Sequence, residues 1–149
     1  MSILANITIH LTKNKAKQNS LDKIETLINA GWTLNDHGKF SYLPIGDQDN
    51  FDWHIQDDIS FFQLTEIIKA KEQSKETVGI VMTWETTLIG GTVLIYQNET
   101  ISINLDINRK TIVFKDNYII TDFQWYLERL LPQLNETFGV AHFSCGECR

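Results

Sequence analysis

The apolar pattern predicts an α+β fold: one domain, residues 1–149, with a mainly antiparallel sheet and about three helices packed on it. Three observations carry this. Period-two alternation opens the chain (Ile3, Ala5, Ile7, Ile9, Leu11) and returns between residues 78 and 114. Helical spacing recurs in three separate segments, near 20–30, 61–75 and 122–138. Strands and helices are grouped rather than strictly alternating, which favours hairpin pairing over parallel crossovers. A length of 149 residues suits one domain with a real core.

The elements follow in order. The first strand covers 3–11, with Asn6, Thr8 and His10 on its second face. Asn19-Ser20 then caps a helix whose Leu21, Ile24, Leu27 and Ile28 form an apolar stripe, and Gly31 stands where a helix ends. A short strand is expected at 39–43, stopped by Pro44 and Gly46, before a loop that runs to residue 58. Ser60 with Gln63 forms a capping-box pattern for a second helix carrying Phe61, Leu64, Ile67 and Ile68. Strands are predicted at 78–84, 92–96, 100–107 and 111–114, and the short polar links 97–99 and 108–110 predict a four-strand meander. Gly90-Gly91 reads as a bulge or bend between strands. The last helix, 122–138, buries Phe123, Tyr126, Leu127, Leu130, Leu131, Leu134 and Phe138, and Pro132 is expected to kink or divide it. Residues from 140 onward are expected to add a short edge strand, with 144–149 a frayed tail. Trp32, Trp84 and Trp125 fall on or beside these elements, as core or half-buried rings.

Composition narrows the function classes. Apolar residues make up 42% and charged residues 21%, ordinary values for a folded protein. The net charge is −6, and the only basic cluster, Lys13, Lys15 and Lys17, reads as a solvated turn. Direct nucleic-acid binding is therefore not expected. No signal-peptide pattern and no run near ~20 apolar residues is found, so no membrane span is expected and the cytoplasm is the default compartment. The glycosylation-type triplets at Asn6, Asn98 and Asn135 then read as chance matches. Cys145 and Cys148 close Cys-Gly-Glu-Cys near the C-terminus, too local for a disulfide framework. His142, Cys145 and Cys148 offer soft metal ligands at short spacing, but zinc needs a fourth and redox pairs favour a helix start.

The distinctive segment is 46–58. Between residues 40 and 68 there is no Lys or Arg, and Asp47, Asp49, Asp52, Asp57, Asp58 and Glu66 all lie there. Elsewhere acids and bases balance at 13 each, so this window holds the whole charge excess. A calcium-loop frame places Asp47, Asp49 and Asp58 at positions one, three and twelve. It fails at Phe51 and at Asp52, which stands where the loop needs glycine. A catalytic carboxylate pair needs a fixed separation that a polar loop does not supply. Phe51 and Trp53 are interleaved with the acids, and aromatic anchors framed by charge are the usual make-up of a protein interface. Asp47, Asp49, Phe51, Asp52, Trp53, Asp57 and Asp58 are thus the candidate partner-binding residues. A plain solvated loop is the competing reading, with Trp53 pinning it to the core. No catalytic residue, metal ligand set or cofactor motif is assigned, and no cofactor is expected.

The acidic aromatic stretch (Tyr42-Leu43-Pro44-Ile45-Gly46-Asp47 through Asp52-Trp53), in a small acidic chain without a catalytic motif, resembles the bacterial immunity proteins of contact-dependent growth inhibition and related polymorphic toxin systems. The resemblance is one of type over the whole chain. It implies a non-enzymatic inhibitor that binds a cognate basic toxin domain, in many systems a nuclease, and covers its active site or substrate cleft. Two alternatives stand beside it: a small metal-dependent enzyme using Asp47, Asp49 and Asp52, and a protein that forms a homodimer through an exposed strand edge.

Overall fold

The computed structural model describes residues 3–12, 19–47, 50–57 and 59–149. Along the chain these form β1 (Leu4–Leu11), α1 (Ser20–Ala30), β2 (Trp32–Thr33), β3 (Phe40–Tyr42), β4 (His54–Gln56) and α2 (Phe61–Gln73). Then follow β5 (Val78–Trp84), β6 (Gly90–Ile95), β7 (Thr100–Ile107), β8 (Thr111–Val113), a 3-10 turn (Lys115–Asn117), β9 (Ile119–Thr121), α3 (Phe123–Phe138) and β10 (Val140–Cys148). Eight strands make one antiparallel sheet in the order β10-β1-β7-β6-β5-β3-β4, with β2 also paired to β5, and β8-β9 form a separate hairpin. The α+β architecture and the antiparallel sheet are as the sequence predicts.

Alternation selects the two faces of the sheet. Ile7 and Ile9 of β1, Ile80 and Met82 of β5, Val93 and Ile95 of β6, and Ile101 and Ile103 of β7 meet Ile24, Leu27, Leu64, Ile68, Tyr126, Leu130, Leu134 and Phe138 of the three helices in one buried cluster. The helices therefore cover one face. On the other face the β1–β7 region is polar: Asn6 Nδ2 donates to Ser102 Oγ at 2.9 Å and to Asn104 Oδ1 at 3.0 Å, and Thr8 Oγ1 donates to Asn6 Oδ1 at 2.9 Å.

The helix starts are set locally. Asn19 and Asp22 form a reciprocal capping box on α1, Ser60 and Gln63 form one on α2, and Asp122 caps Trp125 on α3. The Gly90-Gly91 pair sits at the register shift between β6 and β7, as expected of a bulge. A Cβ on Gly90 would collide with the Met82 carbonyl, and one on Gly91 with the Asn104 carbonyl, so both positions need the bare backbone.

Four expectations are corrected. Of the two outcomes expected at Pro132, a kink or a division, division is excluded, since α3 runs unbroken through it. The proline faces solvent, so the carbonyl it leaves without a donor is open to water. The fourth strand of the predicted meander, 111–114, does not extend the main sheet. The edge of β7 that it would need is taken by β1, and β8 turns to pair with β9 instead. Residues 144–149 do not fray: β10 pairs with β1 from Val140 to Cys148, because β1 has a second free edge for it. Within the predicted 46–58 loop, residues 54–56 form β4 against β3.

Candidate partner-binding surface

The acidic segment is held in place by buried charge. Lys71, on α2, is 1% exposed; its ammonium donates to the Pro44 carbonyl at 2.7 Å and the Asp47 carbonyl at 3.0 Å. It also lies 3.3 Å from Glu76 Oε1, and that oxygen accepts the Gly46 N–H at 2.8 Å. Gln97 from the β6–β7 turn donates to the Glu76 carbonyl at 2.9 Å. One lysine and one glutamate thus tie α2, the strand turn and the loop together. A buried ion pair gains little over an apolar substitute in net energy, but losing one partner leaves the other charge buried and uncompensated.

Asp47 completes the clamp from inside the loop. It is 6% exposed, and its carboxylate accepts the N–H groups of Asn50 at 3.1 Å, Phe51 at 3.0 Å and Asp52 at 2.6 Å. Burial by itself would raise its pKa. The three N–H donors and the nearby Lys71 charge outweigh that and hold the carboxyl below its ordinary 3.8. Asp47 therefore shapes the loop and does not face a partner. The turn it closes places Phe51 at φ 56°, a left-handed backbone that a bulky residue adopts only when its surroundings demand it.

Trp53 has the second anchoring role. Its ring lies over Gly79 beside Leu43, in the space a Gly79 side chain would fill. Leu43, Val81 and Leu94 are buried outside the main core cluster, and Gly79 pairs with Leu94 across the sheet. Trp53 is half-buried here, on the face away from the helices, so it pins the loop to a small second apolar cluster.

What the clamp presents outward is mixed. Asp52 and Asp57 are exposed, as are Phe51 and, on β4, Ile55 at 59%. Ile45 on the loop and Phe61 and Phe62 at the start of α2 are exposed as well. Of the sequence candidates, Phe51, Asp52 and Asp57 thus reach the surface, while Asp47 and Trp53 support it from beneath. Asp49 and Asp58 lie outside the described residues, as does the Lys13, Lys15 and Lys17 cluster. Sequence reasoning missed Ile45, Ile55, Phe61 and Phe62. The available signal was Phe62, which falls with Gln63, Glu66 and Lys69 on the polar side of the helical pattern. Phe61 also borders a cavity of about 560 Å³ with Ile28, Trp32, Leu34 and Phe40 at the same end of the sheet.

Other groups have structural roles. Arg129 stacks 4.2 Å from the Trp125 ring and 5.4 Å from Trp84, and its carbonyl accepts the Trp32 indole N–H at 2.9 Å. Cys145 and Cys148 are three apart on one strand and point to opposite faces, so they do not form a dithiol pair. Burial pushes the Cys145 thiol pKa up, away from thiolate chemistry. Among the described residues no three His, Cys, Asp or Glu side chains converge, and no helix is long and apolar enough to cross a membrane.

No family model, curated protein or solved structure matches this chain.

Proposed function

We propose that this chain is a binding module of the immunity-protein type, which neutralises a basic toxin domain by seating its 45–57 surface over the active site or substrate cleft. One observation carries the reading. Phe51, Asp52, Ile55 and Asp57 are exposed, and Lys71, Glu76, Asp47 and Trp53 anchor the backbone beside them, from Pro44 to Asp47 and from Asn50 to Trp53. Apolar anchors among carboxylates suit a basic cleft that also has an apolar floor, and a preorganised loop loses little entropy on binding. The net charge of −6 favours encounter with a basic partner. A metal-dependent enzyme built on Asp47, Asp49 and Asp52 has less support, because the Asp47 carboxylate is already engaged by three backbone N–H groups.

The test is co-expression of the chain with the toxin domain encoded beside it, followed by calorimetry and stopped-flow binding of the purified pair. Rescue of growth and stoichiometric binding are expected. Asp52→Asn with Asp57→Asn should slow association and flatten its salt dependence. Phe51→Ala with Ile55→Ala should speed dissociation, by roughly 2 kcal/mol or more if either is a hot spot. Rescue and binding that ignore both double variants would remove this surface from the mechanism.

A further inference from the structure

The far end of the sheet carries a second surface with its own logic. Among the described residues, β10 is an edge strand of 9 residues paired only with β1. Long edges are normally blunted by lysine, proline or a bulge that twists them away. β10 has no lysine or proline, its register against β1 shifts only at Ala141 near its N-terminal end, and its single formal charge, Glu147, is held internally. Arg149 lies 2.7 Å and Arg109 3.6 Å from that carboxylate, and the Thr121 hydroxyl donates to it at 2.5 Å. What remains, from His142 to Cys148, is an extended template on which Phe143 is exposed.

Two further features lie at opposite ends of this strand. At its C-terminal end stands the β8–β9 hairpin, with Val113, Phe114, Tyr118 and Ile119 exposed, Val113 at 63%. Arg149 fixes it there, stacking 4.8 Å from the Tyr118 ring and donating to the Ile119 carbonyl. At the N-terminal end of β10 lies a groove of about 410 Å³ lined mainly by Leu131, Pro132, Val140, Ala141 and Phe143, with Asn135 and His142 as its polar members. Both sit on the helix side, since the hairpin root bonds to Tyr126 of α3 and the groove is walled by the last turns of α3.

We infer that a second copy of this chain pairs antiparallel along β10, so that the hairpin of each copy enters the α3–β10 groove of the other. The geometry is self-consistent. A two-fold axis normal to the sheet near Ser144 sets the C-terminal end of one β10 against the N-terminal end of its partner. That operation brings an apolar protrusion onto an apolar groove twice, on the same side of a continuous sheet. Charge does not oppose this: Lys115 and Asp116 balance at the hairpin tip, while Glu136 and the negative end of the α3 dipole flank the groove. The inference does not depend on the proposed inhibitor role, because it leaves the 45–57 surfaces free at the two outer ends of the joined sheet.

Sedimentation of the full chain over a concentration series tests it. The mass should approach twice 17.2 kDa as concentration rises. Phe143→Lys, which charges the edge, and Phe114→Asp, on the exposed hairpin, should each return the protein to one chain with an unchanged far-ultraviolet spectrum. Asp52→Asn with Asp57→Asn should leave the dimer intact. A monomer at every concentration overturns the inference, as does a dimer that survives both Phe143→Lys and Phe114→Asp or dissociates with the aspartate variant.

Discussion

The two ends of the sheet expose apolar side chains by different means. At the β4 end, Phe51 and Ile55 sit on a segment with little regular structure, and its shape comes from Lys71, Glu76 and Asp47, charged groups taken out of water. At the β10 end, Val113, Phe114, Tyr118 and Ile119 sit on a hairpin whose ladder satisfies its own backbone. Its tip turns through Asp116 and Asn117, at φ 63° and 59°, residue types that tolerate the left-handed region well. The body ties its root through Tyr126 and the Glu147 network, and Arg149 holds its Tyr118–Ile119 side. A loop that must be rigid without a ladder needs side chains to replace it. A hairpin does not.

Three substitutions sharpen that contrast. Lys71→Met should have the largest effect. It strands Glu76 as an unpaired buried carboxylate and frees the Pro44 and Asp47 carbonyls, costing about 3–5 kcal/mol by denaturant unfolding. Adding Glu76→Leu should recover part of the loss, while amide exchange across 44–52 stays fast, since no group then fixes the loop. A loss below about 1 kcal/mol, the range of an exposed pair, would show that the loop keeps its shape without the clamp.

Tyr126→Phe addresses the hairpin root. The Lys110 N–H, which donates to the Tyr126 hydroxyl at 2.8 Å, loses its acceptor. About 1–2 kcal/mol of stability should go, with faster exchange at the root but a preserved hairpin ladder. Collapse of the ladder itself, seen as lost cross-strand contacts between Ile112 and Ile120 in solution spectra, would mean that the body and not the hairpin supplies its order.

Asp47→Asn should be the mildest, because the amide oxygen still accepts the Asn50 and Phe51 N–H groups and only the Asp52 N–H loses its acceptor. The native carboxyl lies below 3.8, so its stabilising contribution is complete above that pH and is lost as pH falls through the lower native value. Stability curves of the two proteins should therefore run apart at neutral pH and converge below pH 3.8. Curves that stay parallel into acid would remove the carboxylate charge from the account of the loop.

Much of the fold was legible because it is periodic. The alternation of Ile3 to Leu11 and of residues 100–107, the caps at Asn19 and Ser60, and the stripe of the last helix all declare themselves within a few residues. The short strands Trp32–Thr33, His54–Gln56 and Ile119–Thr121 did not, since two or three residues cannot show a period. Of the candidate surface, the charge asymmetry and Phe51 were readable. The inward turn of Asp47 was not, because its donors are backbone groups that converge only once the loop is closed. Nor was the clamp, because Lys71 and Glu76 look like ordinary solvated charges in the run from Lys69 to Lys75 and beyond.

The sequence by itself determined the three helices and the longer strands and which faces they bury, because local sterics and the two apolar periods act over a few residues. It also determined that one window holds the charge excess. Tertiary structure alone decided that β1 lies between β7 and β10, that the 111–121 segment leaves the sheet as a hairpin, and which carboxylates face water. Those outcomes depend on which edges are free and which charges can find partners across long separations, and no local pattern in the chain encodes that competition.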